Sequence, residues 1–117
     1  MKNVSAAIII RNNEILIGRR SASVSLAGFW EFPGGKQDPG ETIQECLERE
    51  LFEELSVASK AGEIFQESIF RYDGGTINLI GLMTELLDTN FTLSVHDKIE
   101  WVQIRELLSY KLAPADI

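Results

Sequence analysis

Hydrophobic positions fall into short runs separated by polar turns, with one longer stretch of helical period in the middle of the chain. Val4 to Ile10 and Glu14 to Arg20 are β-branched-rich runs around Asn12-Asn13, the pattern of a hairpin. Ser21 to Gly28 is small and polar and reads as a loop, and Phe29 to Phe32 is a brief extended stretch stopped by Pro33-Gly34-Gly35. A turn at Asp38-Pro39-Gly40 follows. Glu63 to Tyr72 and Thr76 to Leu86 form a second hairpin around Asp73-Gly74-Gly75, Ile99 to Ile104 a last strand, and Arg105 to Leu108 a short helical turn. No repeat, linker or low-complexity segment interrupts the 117 residues. The pattern predicts one domain over residues 1–117, of α/β class, with a mixed sheet covered by helices.

The helix has a marked start. Thr42 followed by Glu45 is a capping-box pair, in which each side chain satisfies an orphan backbone donor. The periodicity predicts a helix to about Leu55. With Ile43 as origin and about 100° per residue, Cys46, Leu47, Leu51 and Leu55 span an apolar arc from about 300° to about 120°. Glu45 and Glu48 lie on the far side, as solvated glutamates do. Glu50, at about 340°, and Glu54, at about 20°, fall inside the arc, with Glu53 beside it at about 280°. Unpaired carboxylates turned towards a core are costly, and clustering adds mutual repulsion. A divalent cation removes both penalties. Oxygen ligands without a neighbouring histidine or thiolate favour a hard ion, Mg²⁺ first and Mn²⁺ next. Arg49, four residues before Glu53, can hold that carboxylate in one orientation.

Composition narrows the field. Eighteen acidic against eleven basic side chains give a formal charge of −7, which argues against a surface that tracks a nucleic acid polymer. A small anionic ligand remains open, since a bound cation inverts the local field. The single cysteine, Cys46, excludes an intramolecular disulfide. No apolar stretch approaches the roughly 20 residues of a membrane span, and MKNVSAAIII is a poor secretory signal. These features predict a cytoplasmic protein with no membrane partner.

The spacing is also recognisable. Gly35, five residues, Glu41, seven residues and then Arg49-Glu50-Leu51-Phe52-Glu53-Glu54, with Val57 in the last apolar slot, resembles the signature of the Nudix hydrolases. Ser56 stands where that signature has glycine, which puts the end of the helix in doubt. The resemblance implies an α/β/α sandwich in which a mixed β-sheet is flanked by helices, with the helix that would follow residue 117 expected to be absent. It implies a hydrolase of nucleoside diphosphate derivatives that uses Mg²⁺, held by Glu50, Glu53, Glu54 and the carbonyl of Gly34. Glu41 and Arg49 complete the catalytic set.

Trp30-Glu31-Phe32-Pro33-Gly34-Gly35-Lys36, Ile17-Gly18-Arg19-Arg20 and Leu112-Ala113-Pro114-Ala115-Asp116 are similar to the MutT-type branch, so the likeness covers nearly the whole chain. That branch cleaves nucleoside triphosphates to a monophosphate and pyrophosphate. The similarity implies Arg20 at the nucleotide, Glu31, Phe32, Pro33 and Gly34 lining its site, and Asp116 reading the base. Taken alone, Arg20 is also an ordinary strand-end cation, Trp30 and Phe32 are ordinary core or pocket-wall aromatics, and Asp116 is equally a helix N-cap. The catalytic base departs from the pattern. The slot six residues before Trp101, acidic in many relatives, is Val95, followed by His96 and Asp97. Either Asp97 replaces it or a glutamate of the signature does the work, Glu53 first, while His96 reads as a loop histidine. Substrates left open are 8-oxo-dGTP, CTP-like nucleotides, ADP-ribose and dinucleoside polyphosphates, and the rival class is a nucleotide-binding module without catalysis.

Overall fold

The structure is a computed structural model and describes residues 1–72 and 74–116. The chain forms β1 (Lys2–Ile8), β2 (Ile10–Arg11), β3 (Glu14–Arg20), β4 (Trp30–Glu31), α1 (Ile43–Leu55), β5 (Ser59–Tyr72), β6 (Gly75–Leu86) and β7 (His96–Gln103). Two 3₁₀ turns follow, Ile104–Ser109 and Pro114–Asp116. The first predicted hairpin turns at Asn12 and Asn13, both at positive φ (52° and 64°), as a two-residue β-turn requires. In the second turn Asp73 lies outside the described residues.

The predicted single mixed sheet is divided in two. In one sheet β6 lies between β1, parallel to it, and β5, antiparallel to it; in the other, β3 pairs antiparallel with β2, β4 and β7. The division occurs at Ile9. The run expected as one strand from Val4 to Ile10 leaves β6 after Ile8 and joins β3 from Ile10, while the Ile9 carbonyl accepts from the Leu16 amide at 3.1 Å. β5 begins four residues earlier than its hydrophobic pattern indicated, and β7 begins at the polar His96-Asp97-Lys98, which conceals a strand from a search for apolar runs.

Strand β3 is buried on both faces, so its alternate residues enter two cores. Leu16 joins Ala7, Leu47, Leu51, Leu55, Val57, Ile80 and Leu82 beneath α1. Ile15 and Ile17 join Trp30, Val102 and Leu112 on the other side. Each fully buried leucine of α1 contributes roughly 1.5–3 kcal/mol of apolar burial. The capping box forms as predicted, with the Glu45 amide donating to Thr42 Oγ1 at 3.0 Å and the Thr42 amide to Glu45 Oε1 at 2.8 Å. Among the described residues α1 is the one α-helix, and no helix is long and apolar enough to cross a membrane.

The helix ends where the sequence left doubt. Ser56 adopts the left-handed conformation itself (φ 58°, ψ 37°), and its amide donates to the Phe52 carbonyl at 2.9 Å. A side chain there costs on the order of 1 kcal/mol relative to glycine. Ser56→Gly is therefore expected to raise the unfolding free energy by about 0.5–1 kcal/mol, measured by denaturant titration.

Candidate active site

The site is assembled by the segment after β4. The amides of Ser5 and Ala7 donate to the carbonyls of Gly35 (2.8 Å) and Pro33 (2.7 Å), and the Gln37 amide to the Asn3 carbonyl (2.9 Å). Residues 33–37 thus lie along the free edge of β1. The alternation of such pairing turns the Gly34 carbonyl away from β1. The approach is close: a Cβ on Gly34 would lie 2.0 Å from the Ser5 carbonyl oxygen, and one on Gly35 would lie 2.4 Å from the carboxyl carbon of Glu50. Pro33 is fully buried beneath this crossing.

Four acidic side chains meet one cation on this face. Arg49 donates to both carboxyl oxygens of Glu41 (2.8 and 3.1 Å), to Glu50 (2.9 Å) and to Glu53 (2.9 Å), and Asp38 is 3.3 Å away. The guanidinium holds the Glu41 carboxyl down at about 2, reinforced by the Asp38 amide. Glu50 is largely covered, and the Glu53 side chain remains 53% exposed. One arginine leaves this group with a clear excess of negative charge. Glu54 goes deeper, at 6% exposure, and its Oε1 has no hydrogen-bond partner. Burial, the Glu50 carboxyl and the Glu31 charge together push its proton affinity well above the usual carboxylate range. An orphaned buried oxygen beside surplus carboxylates fits a divalent cation.

A second constellation adjoins Glu54. Glu31 accepts from Arg20 Nη1 with both oxygens (3.0 and 3.1 Å), and its Oε2 lies 2.8 Å from His96 Nε2. Arg20 also bonds the carbonyl of Ser25. Beyond them opens a cleft of about 500 Å³, lined by Arg20, Glu31, Phe32, Gly34 and Asp116 among others. Asp116 arrives because residues 111–113 bond to Trp30: the Trp30 amide donates to the Lys111 carbonyl, and the Ala113 amide to the Trp30 carbonyl, both at 2.8 Å. Burial and the nearby Glu31 charge raise the Asp116 carboxyl to about 7, against the pull of Arg20. Trp30 is a core residue stacked edge-on against Tyr110.

Asp97 is not brought to this cluster. Between Arg19 and Arg20 the register of β3 against β7 slips by one, so Arg19 faces Lys98 and Arg20 faces His96. Asp97 is the extra residue, and such bulges re-aim side chains. It pairs at the surface with Arg19 at 2.8 Å. His96 takes the inward position instead, 4% exposed, with its ring over Gly18, where a Cβ would stand 2.7 Å from Cδ2. Sequence reasoning read His96 as a loop histidine and missed its place as the buried first residue of β7; the one available signal was a glycine in the middle of a β-branched strand. It also passed over Ser94, whose hydroxyl donates to the Glu53 carbonyl (2.9 Å) and whose amide donates to the Glu54 carbonyl (3.1 Å), fastening the end of α1.

A family model described as NUDIX domain matches residues 1–117. CTP pyrophosphohydrolase of Escherichia coli (strain K12) is 40% identical over 119 residues, spanning 100% of this chain and 87% of that protein. 8-oxo-dGTP diphosphatase of the same organism is 39% identical over 82 residues, 68% of this chain and 64% of its own. The solution structure of the E. coli ORF135 protein superposes with a TM-score of 0.84 at 37% identity, covering 98% of this chain and 82% of that one.

The Glu54 shift has a defined sign. Its folded-state proton affinity is raised, so above the ordinary value of 4.5 the folded protein binds more protons than the unfolded chain, and stability falls as pH rises. In metal-free protein, Glu54→Gln is expected to raise the unfolding free energy at pH 8 by roughly 1–3 kcal/mol. Denaturant titrations at several pH values check this, with the gain shrinking towards pH 4.5.

Proposed function

We propose that this chain, which belongs to the NUDIX family, is a Mg²⁺-dependent nucleoside triphosphate pyrophosphohydrolase that releases a nucleoside monophosphate and pyrophosphate. The observation that carries the reading is a carboxylate group with surplus negative charge, including a buried orphaned oxygen, beside a nucleotide-sized cleft. Pockets for ligands of this size run to about 300–1,000 Å³.

Glu50, Glu53, Glu54 and the carbonyl of Gly34 would hold Mg²⁺, or Mn²⁺ in its place. When bound, the ion would neutralise the phosphates and acidify an attacking water. The protein's own share is orientation and proton transfer. Arg49 fixes Glu41, Glu50 and Glu53 relative to one another. Glu53, the most exposed of the three, is suited to take the proton from water as its oxygen attacks phosphorus. The P–O bond of the α–β bridge then breaks, and its electron pair departs with pyrophosphate or with the monophosphate, according to which of the two phosphorus atoms is attacked. Arg20 adds positive charge at the cleft, Phe32 and Pro33 shape its wall, and Glu31 and Asp116 present acceptors to N–H groups of a base. The pairing of Asp97 with Arg19 on the outside favours Glu53 over Asp97 as the base.

The likeness to a CTP pyrophosphohydrolase along the whole of this chain supports CTP as the first nucleotide to test and 8-oxo-dGTP as the second. A panel of normal and oxidised nucleoside triphosphates with Mg²⁺, assayed for pyrophosphate, tests the proposal. Absence of pyrophosphate from every member would overturn it and direct attention to ADP-ribose and dinucleoside polyphosphates. Binding without turnover, even with Mn²⁺, would favour a non-catalytic module. Glu53→Gln is expected to lower kcat by about 100-fold or more with the fold intact by circular dichroism. Asp97→Asn is expected to keep kcat within about twofold of the parent, as surface substitutions do.

A further inference from the structure

His96 is the chain's one histidine, is 4% exposed, and takes no part in the proposed chemistry. Its Nε2 lies 2.8 Å from Glu31 Oε2, while its Nδ1 is buried without a hydrogen-bond partner among the described residues. We propose that His96 is a positioning residue: a neutral ring, with its proton on Nε2, that fixes Glu31 and leaves one acceptor site, on Oε1, for the nucleotide. The inference rests on the reading of the adjoining cleft as the nucleotide site.

The place of the proton follows from the partners. Arg20 Nη1 donates to both oxygens of Glu31, at 3.0 and 3.1 Å. A carboxylate in such a pair only accepts, so the proton shared with His96 belongs to Nε2. A second proton on the ring would place an N–H at Nδ1, buried with nothing to receive it, and charge the ring as well. The ring is therefore neutral. The same contacts select which oxygen stays open. A carboxylate offers about four acceptor sites, two on each oxygen. Oε2 is taken by Arg20 and His96, and Oε1 by Arg20 alone. Glu31 lines the cleft, and Arg20 beside it is also spent on the carbonyl and hydroxyl of Ser25. A continuous series, His96–Glu31–Arg20–Ser25, thus runs from the buried start of β7 to the loop at the cleft mouth. Without the imidazole, Glu31 is held by one guanidinium nitrogen and is free to turn about it. The fold makes room for this contact: the bulge against β3 turns His96 inward, and Gly18 leaves the space its ring occupies. An apolar side chain of that size would fill the same space, but only a ring N–H also reaches Glu31.

The test begins with the untagged parent chain labelled with ¹⁵N, in which a single histidine makes the assignment unambiguous. Long-range ¹H–¹⁵N correlation near neutral pH is expected to show Nε2 protonated and Nδ1 bare. A proton on Nδ1, or on both nitrogens, overturns the proposal whether or not any variant folds or any nucleotide is cleaved. Kinetics with CTP, or with whichever triphosphate the panel favours, then separate positioning from packing. His96→Leu keeps the bulk and loses the donor; it is expected to raise KM about tenfold with kcat within about threefold of the parent. His96→Gln carries an N–H donor at comparable reach and is expected to bring KM back to within about threefold of the parent. Equal losses in kcat and kcat/KM, or a glutamine variant no better than the leucine one, with both folded by circular dichroism, assign His96 to packing alone and overturn the proposal. If the parent cleaves no triphosphate, the enzymatic reading falls by itself. The dissociation constant of CTP, compared by calorimetry across the same three proteins, then replaces KM in deciding the positioning role.

Discussion

The structure depends on the close crossing of residues 33–37 over the edge of β1. Two backbones lie edge to edge there, and the space a side chain would need at Gly34 and Gly35 is taken by the Ser5 carbonyl and the Glu50 carboxylate. That contact brings α1 down onto the strand, with Cys46 Sγ 3.4 Å from Ser5 Oγ and 3.5 Å from the Gly35 carbonyl. Two glycines therefore convert an ordinary amphipathic helix into one whose carboxylates can stand beside a bare strip of backbone.

Within that frame the electrostatics are hierarchical. Arg49 is a pre-organised fork that fixes three glutamates at once, and it neutralises too few of them to leave the group at rest. Arg20 does the same for Glu31 on the cleft side. Glu54 stands between the two arginine-centred groups and forms an ion pair with neither cation; burial first, and then the Glu50 and Glu31 carboxyls, raise its proton affinity. Negative charge in excess, held rigidly and partly dry, is a poor way to stabilise a fold and a good way to bind cations and, through them, polyphosphate.

Much of this was legible in the chain. Thr42 and Glu45 set the start of α1, the 3.6-residue period placed Glu50 and Glu54 on the apolar arc, and Asn12-Asn13 set a hairpin. Glu53 was less well located: its angle put it beside the core, yet its side chain stays half exposed. Nothing in the local pattern distinguishes these two cases, because exposure is decided by what crosses above.

The sequence by itself determined the local elements and the acidic helix, since capping, turn chemistry and periodicity act over a few residues and leave their mark in the order of side chains. Tertiary structure alone decided that β1 and β2 part company at Ile9, that a one-residue slip against β3 turns His96 inward and Asp97 out, and that Glu31, Glu54 and His96 converge. Those outcomes depend on register between segments tens of residues apart, and a strand's period of two turns a single-residue shift into an exchange of faces.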